Sequence, residues 1–303
     1  MAKYIIKRVL LAILSLLIVS AITFFVMNLI PGGPFNKEKA TSAEALRVLE
    51  ERYNLDKPVG EQYIIYLGNM LKGDWGVSLH SGRDIWSEIT SKFAVSAKLG
   101  AGAASIAIVL GIILGSVAAL NRNKWPDRII VFFTTLFTAM PSFVLATLLL
   151  LVFCLKLQLV PVWSPSSPNY VLPILALSLY PLAYITRLTK TSMLDALGQD
   201  YVRTARAKGV AKRKVIFKHA LRNALIPVVT YVGPMIASIL TGSMVVENIF
   251  TIGGLGSSFV TSITNRDYTM IMATTMFFAF LMITANLITD IVYKIIDPRI
   301  DFS

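Results

Sequence analysis

The sequence predicts an all-α integral membrane protein with six transmembrane helices. Apolar residues fill 55% of the 303 positions and charged residues only 15%, a composition that the surface of a soluble protein cannot accommodate. Long apolar stretches follow one another along the chain, and loops rich in Lys and Arg alternate with loops that lack this excess. Since basic loops favour the cytoplasmic side, the pattern predicts a multi-pass protein of the cell membrane with both termini in the cytoplasm.

The first span is predicted over Val9–Ile30, which follows several basic residues and is long enough to cross the hydrocarbon layer. It has no evident cleavage site and is interpreted as a retained signal anchor. The polar segment after it carries no basic excess and is placed outside. Thr41 and Glu44 form a capping-box pattern there, and Pro58 opens a second short amphipathic helix. Small extracytoplasmic helices are therefore expected after the first span.

The second and third spans are predicted over Ala94–Leu120 and Ile129–Leu155. Gly111-Ile-Ile-Leu-Gly115 has the spacing that permits close helix packing, although as a dimerisation signal this pattern is weak. Pro141 predicts a kink in the third span whose freed backbone groups need neighbours or water. Such a break is a candidate for lining a translocation path, and it would involve Met140, Pro141 and Ser142.

The fourth span is predicted from Val171 toward Leu197, the fifth over Ala224–Val246 and the sixth over Met270–Tyr293. The glycine-rich stretch Glu247–Gly256 is expected to form an outside turn. The sequence is accordingly divided into an N-terminal anchor, an extracytoplasmic helical segment, a core with five spans and a cytoplasmic tail, which are residues 1–30, 31–93, 94–296 and 297–303.

The most basic loop lies between the fourth and fifth spans. From Thr189 to Asn223, with Arg187 just before it, the chain has ten basic and two acidic residues, a surplus of eight charges within a net charge of +12. On charge alone, a solvated positive-inside loop is the simpler interpretation.

A short helix is predicted inside this basic loop. Asp200 complements the positive end of the helix and Gly209 supplies a left-handed stop. Ala205 and Ala207 are small enough to let another protein approach the backbone, and Tyr201 lies in the same helix. These features favour a docking helix.

No catalytic or metal-binding pattern is found in the sequence. His80 and His219 lie outside the apolar stretches, the single Cys154 lies within one, and no hydrolase or zinc motif is present. An intramembrane enzyme is therefore the weakest interpretation. An ion-coupled carrier would need a titratable group near the middle of the membrane, and none stands out. No phosphate-binding loop occurs either, so ATP would have to be used by a separate subunit.

Ala205-Arg-Ala-Lys-Gly209 and Phe217-Lys-His-Ala-Leu-Arg-Asn-Ala-Leu-Ile-Pro227 resemble the cytoplasmic loop, often called the EAA loop, of ABC-importer permeases of the oligopeptide/dipeptide branch. Gly73-Asp-Trp-Gly-Val-Ser78, the turn at Glu247 and the ending from Asn286 to Arg299 resemble the same family, so the resemblance covers effectively the whole chain. Arg203 stands where the general pattern has an acidic residue, and Gly253 where this branch commonly has proline.

The resemblance implies a type I ABC-importer permease fold and a non-enzymatic subunit of an ATP-driven peptide importer, without a cofactor of its own. It implies a second homologous permease, two ATP-binding subunits, an extracytoplasmic substrate-binding protein and surrounding lipid as partners, and no nucleic acid. Nickel complexes or oligosaccharides remain alternative substrates, and an ion-coupled secondary transporter remains the alternative of another class. The residues then expected to act are Asp200, Tyr201, Ala205, Ala207 and Gly209 in coupling to the ATPases, and Met140, Pro141, Ser142, Met235 and Asn286 in the translocation path.

Overall fold

The computed structural model describes residues 2–30 and 56–296, which are mainly helical. In these residues, β geometry is confined to an isolated bridge between Val77 and Asp84. The predicted all-α class is confirmed. The capping box at Thr41 and Glu44 and the cytoplasmic tail at residues 297–303 lie outside the described residues.

The helices of the described residues are numbered in chain order. They are α1 Ala2–Leu29, α2 Val59–Leu71, α3 Ile85–Leu120, α4 Trp125–Ala139, α5 Ser142–Leu149 with its π-helical continuation Leu150–Lys156, α6 Val171–Gly198, α7 Asp200–Ala207, α8 (Lys212–Lys214, π-helical Val215–Leu221 and Arg222–Ala224), α9 Ile226–Gly242, α10 Met244–Ile249, α11 Leu255–Thr264 and α12 Tyr268–Ile296.

Five stretches of the described chain are long and apolar enough to cross a membrane: Ile6–Leu29, Ile85–Leu120, Val171–Gly198, Ile226–Ile249 and Tyr268–Asp290. The third predicted span is broken. Helix α4 and the helix Ser142–Lys156 pass the same test only as a pair, and they are bent by 107°. Pro141 lacks an N–H group and extends the backbone before it, so the expected kink becomes a full break at Met140 and Pro141. If this pair of helices makes one crossing, the described residues contain six spans.

The chain divides into two compact units. The first contains residues 1–95 and 253–283, and the second contains residues 96–252 and 284–303. Helices α3 and α12 each contribute to both. The division predicted from the sequence follows function rather than compactness, and it stays a prediction.

In the first unit, α2 packs on α1 through aromatic side chains. The rings of Phe24 and Tyr63 lie 5.3 Å apart, and the hydroxyls of Ser20 and Tyr63 are 2.8 Å apart. Tyr66 contacts the same buried cluster, and burial raises the pKa of its hydroxyl. The apolar face predicted for α2 is therefore used for packing on the first span.

The start of α12 is fixed by Asp267, which is buried in the first unit. Its Oδ1 accepts the Met270 N–H at 3.1 Å, which caps the helix, and its Oδ2 accepts the Ser78 hydroxyl at 2.5 Å. The Leu79 N–H also donates to Oδ1. One carboxylate thus ties the loop at residues 77–80 to the start of the last span.

In the second unit, α3 and α6 approach each other closely. Side chains of α3, α6 and α9 form its main apolar cluster. A Cβ atom on Gly111 would lie 2.7 Å from the Ile185 side chain, and one on Gly115 would lie 2.5 Å from the Thr186 carbonyl oxygen. The GxxxG pattern therefore serves packing within this chain.

The turn predicted over Glu247–Gly256 is shorter in the structure, so both of its predicted ends are wrong. Helix α10 continues to Ile249, and α11 already begins at Leu255. Glu247 is fully buried, and its Oε1 accepts hydrogen bonds from the hydroxyl of Ser96 at 2.6 Å and from the hydroxyl of Ser243. Because these hydroxyls solvate the carboxyl group, Glu247 is accommodated inside the second unit.

Candidate functional site

The candidate coupling site is α7, the eight-residue helix that follows α6 after the single residue Gln199. Its inner face carries Val202, which is fully buried, and Ala205, which is 8% exposed. These residues lie three positions apart and so point the same way. They pack in one cluster with residues of α3, α6 and α8, which are Ala119, Met193, Ala196, Val215, Ala220 and Ala224.

Helix α7 ends as the sequence predicts. Gly209 has a φ of +74°, its N–H donates to the Arg206 carbonyl at 3.0 Å, and the Val210 N–H donates to the Ala205 carbonyl at 3.1 Å. This pair of bonds is the Schellman motif, which requires a left-handed residue at the position of Gly209. Val210 also packs against the cluster that contains Ala205. The turn therefore fixes the direction in which the chain leaves α7.

At the beginning of α7, the sequence predicts Asp200 as a cap or as a complement to the positive end of the helix. Gln199 occupies the cap position and makes no side-chain capping bond, while Asp200 lies in the first turn. The Asp200 side chain is 94% exposed and pairs with Arg203 at 3.4 Å. Such an exposed pair adds little stability. Asp200 therefore acts as a favourable charge at the positive end of the helix.

The outer face of α7 is open. Tyr201 is 39% exposed, and Arg203, Arg206 and Ala207 are exposed as well. The expected placement of Ala205 is wrong, because its Cβ points into the protein's own cluster. Ala207 is the small residue that lies on the accessible face. The helix thus has one face fixed by packing and one face available to a partner.

An ion pair that the sequence did not predict lies beside this site. Lys190 of α6 places Nζ 2.5 Å from Oδ1 of Asp127 in α4, and the two side chains are 21% and 7% exposed. The other carboxylate oxygen accepts the Asn123 N–H at 2.9 Å. The sequence feature that could have predicted the ion pair is Asp127, an acidic residue in an otherwise basic stretch between the second and third predicted spans.

The predicted path residues lie in different environments. Pro141 and Ser142 are exposed and Met140 is partly exposed at the 107° break. Asn286 is exposed on α12. Met235 is only 4% exposed and belongs to the apolar cluster of the second unit.

Two tyrosines that the sequence analysis did not select lie between α6 and α9. The ring centroids of Tyr184 and Tyr231 are 4.2 Å apart, and Tyr184 is 43% exposed. Tyr180, one turn before Tyr184, is 49% exposed. The sequence feature that could have identified this surface is the spacing of Tyr180 and Tyr184, two polar aromatic residues four positions apart in an apolar helix. Together they form an accessible aromatic surface in the second unit.

The described side chains contain no group of three His, Cys, Asp or Glu residues that could hold a metal ion. The features described above are the helix α7 with one open face, the Lys190–Asp127 ion pair, the broken span and the tyrosine surface.

Two family models match the chain. Residues 108–302 match a model described as binding-protein-dependent transport system inner membrane component, and residues 1–99 match the model of its N-terminal part. The dipeptide transport system permease protein of Bacillus subtilis (strain 168) is 44% identical over 302 residues, with 99% of this chain and 98% of that relative covered. The oligopeptide transport system permease protein of Haemophilus influenzae is 42% identical, with 100% of both chains covered.

Two solved transporters share the fold. An inward-facing methionine ABC transporter superposes with a TM-score of 0.56 at 14% identity, covering 69% of this chain and 95% of that chain. An amino acid ABC transporter superposes with a TM-score of 0.54 at 14% identity, covering 71% and 94%. The predicted type I permease fold is confirmed by this likeness, which at such identity concerns the fold alone.

Proposed function

Because the chain belongs to the family of binding-protein-dependent transport system inner membrane components, we propose that it is a permease subunit of an ATP-driven peptide importer. The observation that carries the proposal is the full-length identity of 44% and 42% to a dipeptide and an oligopeptide permease. The same membership supports a location in the inner or plasma membrane. Both termini are proposed to lie in the cytoplasm, because the most basic loop is then also cytoplasmic.

The outer face of α7 is proposed to dock on an ATPase subunit. Its inner face is anchored by Val202 and Ala205, so a force applied to α7 reaches α6 without first deforming a flexible linker. The Lys190–Asp127 pair then connects α6 to α4, the first half of the broken span. Asp200, Tyr201, Ala207 and Gly209 keep their proposed coupling roles, and Ala205 is reassigned from partner contact to anchoring.

The translocation path is proposed to include the break at Met140, Pro141 and Ser142, together with Asn286. A helix break exposes backbone polar groups, and inside a membrane these groups are tolerated only against protein or a water-filled cavity. A peptide with its own backbone polar groups could use such a surface. Tyr184 is added to the proposed path, because its exposed ring offers an apolar face and a hydroxyl.

The partners proposed are a second homologous permease, two ATPase subunits and an extracytoplasmic binding protein that selects the peptide. ATP would be bound by the ATPase subunits and not by this chain. Nickel complexes and oligosaccharides remain alternative cargoes. The ion-coupled carrier is disfavoured, since the family is one of transport systems that depend on a binding protein.

The test is uptake by proteoliposomes that contain this chain with a second homologous permease, two ATPase subunits and a binding protein from the same organism. Labelled di- and oligopeptides should be transported only under two conditions. ATP must be on the side of the membrane where the ATPase subunits lie, and the binding protein must be on the opposite side. Uptake that follows a proton or sodium gradient without ATP would contradict the proposal. Uptake of a nickel complex or oligosaccharide, with no peptide uptake, would keep the permease function and change the cargo.

A further inference from the structure

An open groove of about 530 Å³ lies on α8 and is lined by Ala211, Arg213, Lys214, Phe217 and Lys218. It is called the α8 groove below. All three cations are exposed, and Phe217 is 58% exposed. Three positive charges therefore surround an aromatic ring that packs against little of the protein.

The positive charge of the α8 groove is not compensated by neighbouring carboxylates. Within residues 2–30 and 56–296, no ion pair or side-chain hydrogen bond involves Arg213, Lys214 or Lys218. The sequence also contains no acidic residue between Asp200 and Glu247. The other basic side chains of this part of the chain include Lys190 and Arg203, which do have carboxylate partners. The groove is thus able to attract an external anion.

The position of the α8 groove defines which anion can reach it. Val215 and Ala220 on the opposite side of α8 are buried in the cluster shared with α6 and α7, so the orientation of the groove is fixed. Helix α8 ends at Ala224, and the apolar span begins at Ile226. Helix α8, which carries the groove, therefore comes immediately before a candidate membrane crossing. Basic side chains with an apolar ring between them are typical of a helix face that lies in the interfacial region of a membrane.

We propose that the α8 groove binds the phosphate headgroup of an anionic phospholipid, such as phosphatidylglycerol, in the cytoplasmic leaflet. Arg213, Lys214 and Lys218 contact the phosphate, and Phe217 lies against the upper part of the acyl chains. A lipid fits better than an acidic protein surface, because the exposed ring requires an apolar partner next to the anion. The face of α7, on the other side of the Gly209 turn, remains available to the ATPase. The lipid site does not depend on the transported substrate.

The test uses the purified importer, with all its subunits, in nanodiscs that contain phosphatidylcholine and phosphatidylglycerol. Native mass spectrometry counts the phospholipids retained after release from the nanodisc. The double variant Lys214→Gln with Lys218→Gln is expected to lose about 30-fold in retained phosphatidylglycerol, since each basic residue near an anionic surface contributes about fivefold. Lys214→Arg with Lys218→Arg keeps the charge and should retain the lipid.

The matched control is Lys124→Gln with Arg128→Gln. It removes the same charge from two exposed residues at the start of α4 and should not cause a comparable loss. Equal losses in both double variants would reduce the effect to diffuse charge attraction. The groove would have another role if lipid retention were unchanged in the α8 variant. The same would hold if the importer with this variant lost its ATPase subunits and retained the lipid. Each of these outcomes overturns the proposal, and peptide uptake is measured separately.

Discussion

Lys190 and Asp127 form a largely buried ion pair in which Nζ lies 2.5 Å from Oδ1, joining α6 to α4. Removing one member leaves the other charge without a partner in a poorly hydrated place, which costs about 3–5 kcal/mol for a buried pair. We predict that Lys190→Met and Asp127→Asn each lower the apparent melting temperature of the purified protein. The exchange Lys190→Asp with Asp127→Lys should recover much of the loss.

The control for this prediction is the exposed pair of Lys57, which precedes α2, and Glu61 in its first turn, at 3.3 Å. Lys57→Met should change the melting temperature little, because exposed pairs contribute about 0–1 kcal/mol. Equal effects of Lys57→Met and Lys190→Met would show that the Lys190–Asp127 pair is no more important than a surface contact.

The glycines of the second unit should differ in their tolerance of a methyl group. Gly115→Ala brings Cβ against backbone atoms of α6, which cannot move away without separating the helices, so we predict a large loss of stability. In Gly100→Ala, the obstacle at 2.8 Å is the Leu240 side chain, which can change rotamer, so the loss should be smaller. Gly68→Ala in α2 meets nothing within 4 Å and should be neutral or slightly stabilising. Thermal unfolding in one detergent would rank the three variants, and any other order would contradict the packing described here.

The bounds of the helices do not show on which side of the membrane each loop lies, so the membrane topology needs its own test. In a Cys154→Ser background, Ser81→Cys and Thr264→Cys should react with an impermeant thiol reagent applied to intact cells or spheroplasts. Asn123→Cys and Lys212→Cys should react only after the membrane is opened. All four positions are exposed, so burial does not account for a difference. Labelling of the second pair from outside would reverse the proposed orientation.

We expect Gly209 to be needed for its left-handed backbone conformation, which sets the direction in which the chain leaves α7. A side chain at this position would not clash with neighbouring atoms. No atom lies within 4 Å of a Cβ built on it, yet its φ of +74° strains a β-branched residue. We predict that Gly209→Val abolishes peptide uptake while the protein still reaches the membrane. Gly198→Ala, also in open space but without a positive φ, should keep uptake. Normal uptake by Gly209→Val at normal abundance would show that this turn is only a tether.

The sequence was sufficient to predict the helical class, five of the apolar spans and the Gly209 turn, because each depends on local chemistry. Apolar length defines a span, and only a left-handed residue ends a helix in the manner of α7. The break at Pro141 was predicted in position but not in angle, since backbone chemistry locates a kink and the surrounding helices set how far it bends.

The inward direction of Ala205 and the partners of Lys190 and Glu247 were not predicted. They depend on which helices meet in space, and residues such as Glu247 and Ser96 are 151 positions apart. Alanine fits both a packed face and an accessible face, so residue size alone could not distinguish Ala205 from Ala207. The same holds for Met235, whose apolar side chain suits a core as well as a path.

Docking of the outer face of α7 on the ATPase subunit can be measured by cysteine crosslinking. In a Cys154→Ser background, Ala207→Cys should crosslink to single cysteines placed on the ATPase surface of the assembled importer, and the yield should change when ATP binds. Ala205→Cys, which points into the cluster with Val202, should crosslink poorly in the same complexes. Efficient crosslinking from position 205 with none from position 207, or none from either in an importer that transports, would show that the outer face of α7 does not dock on the ATPase.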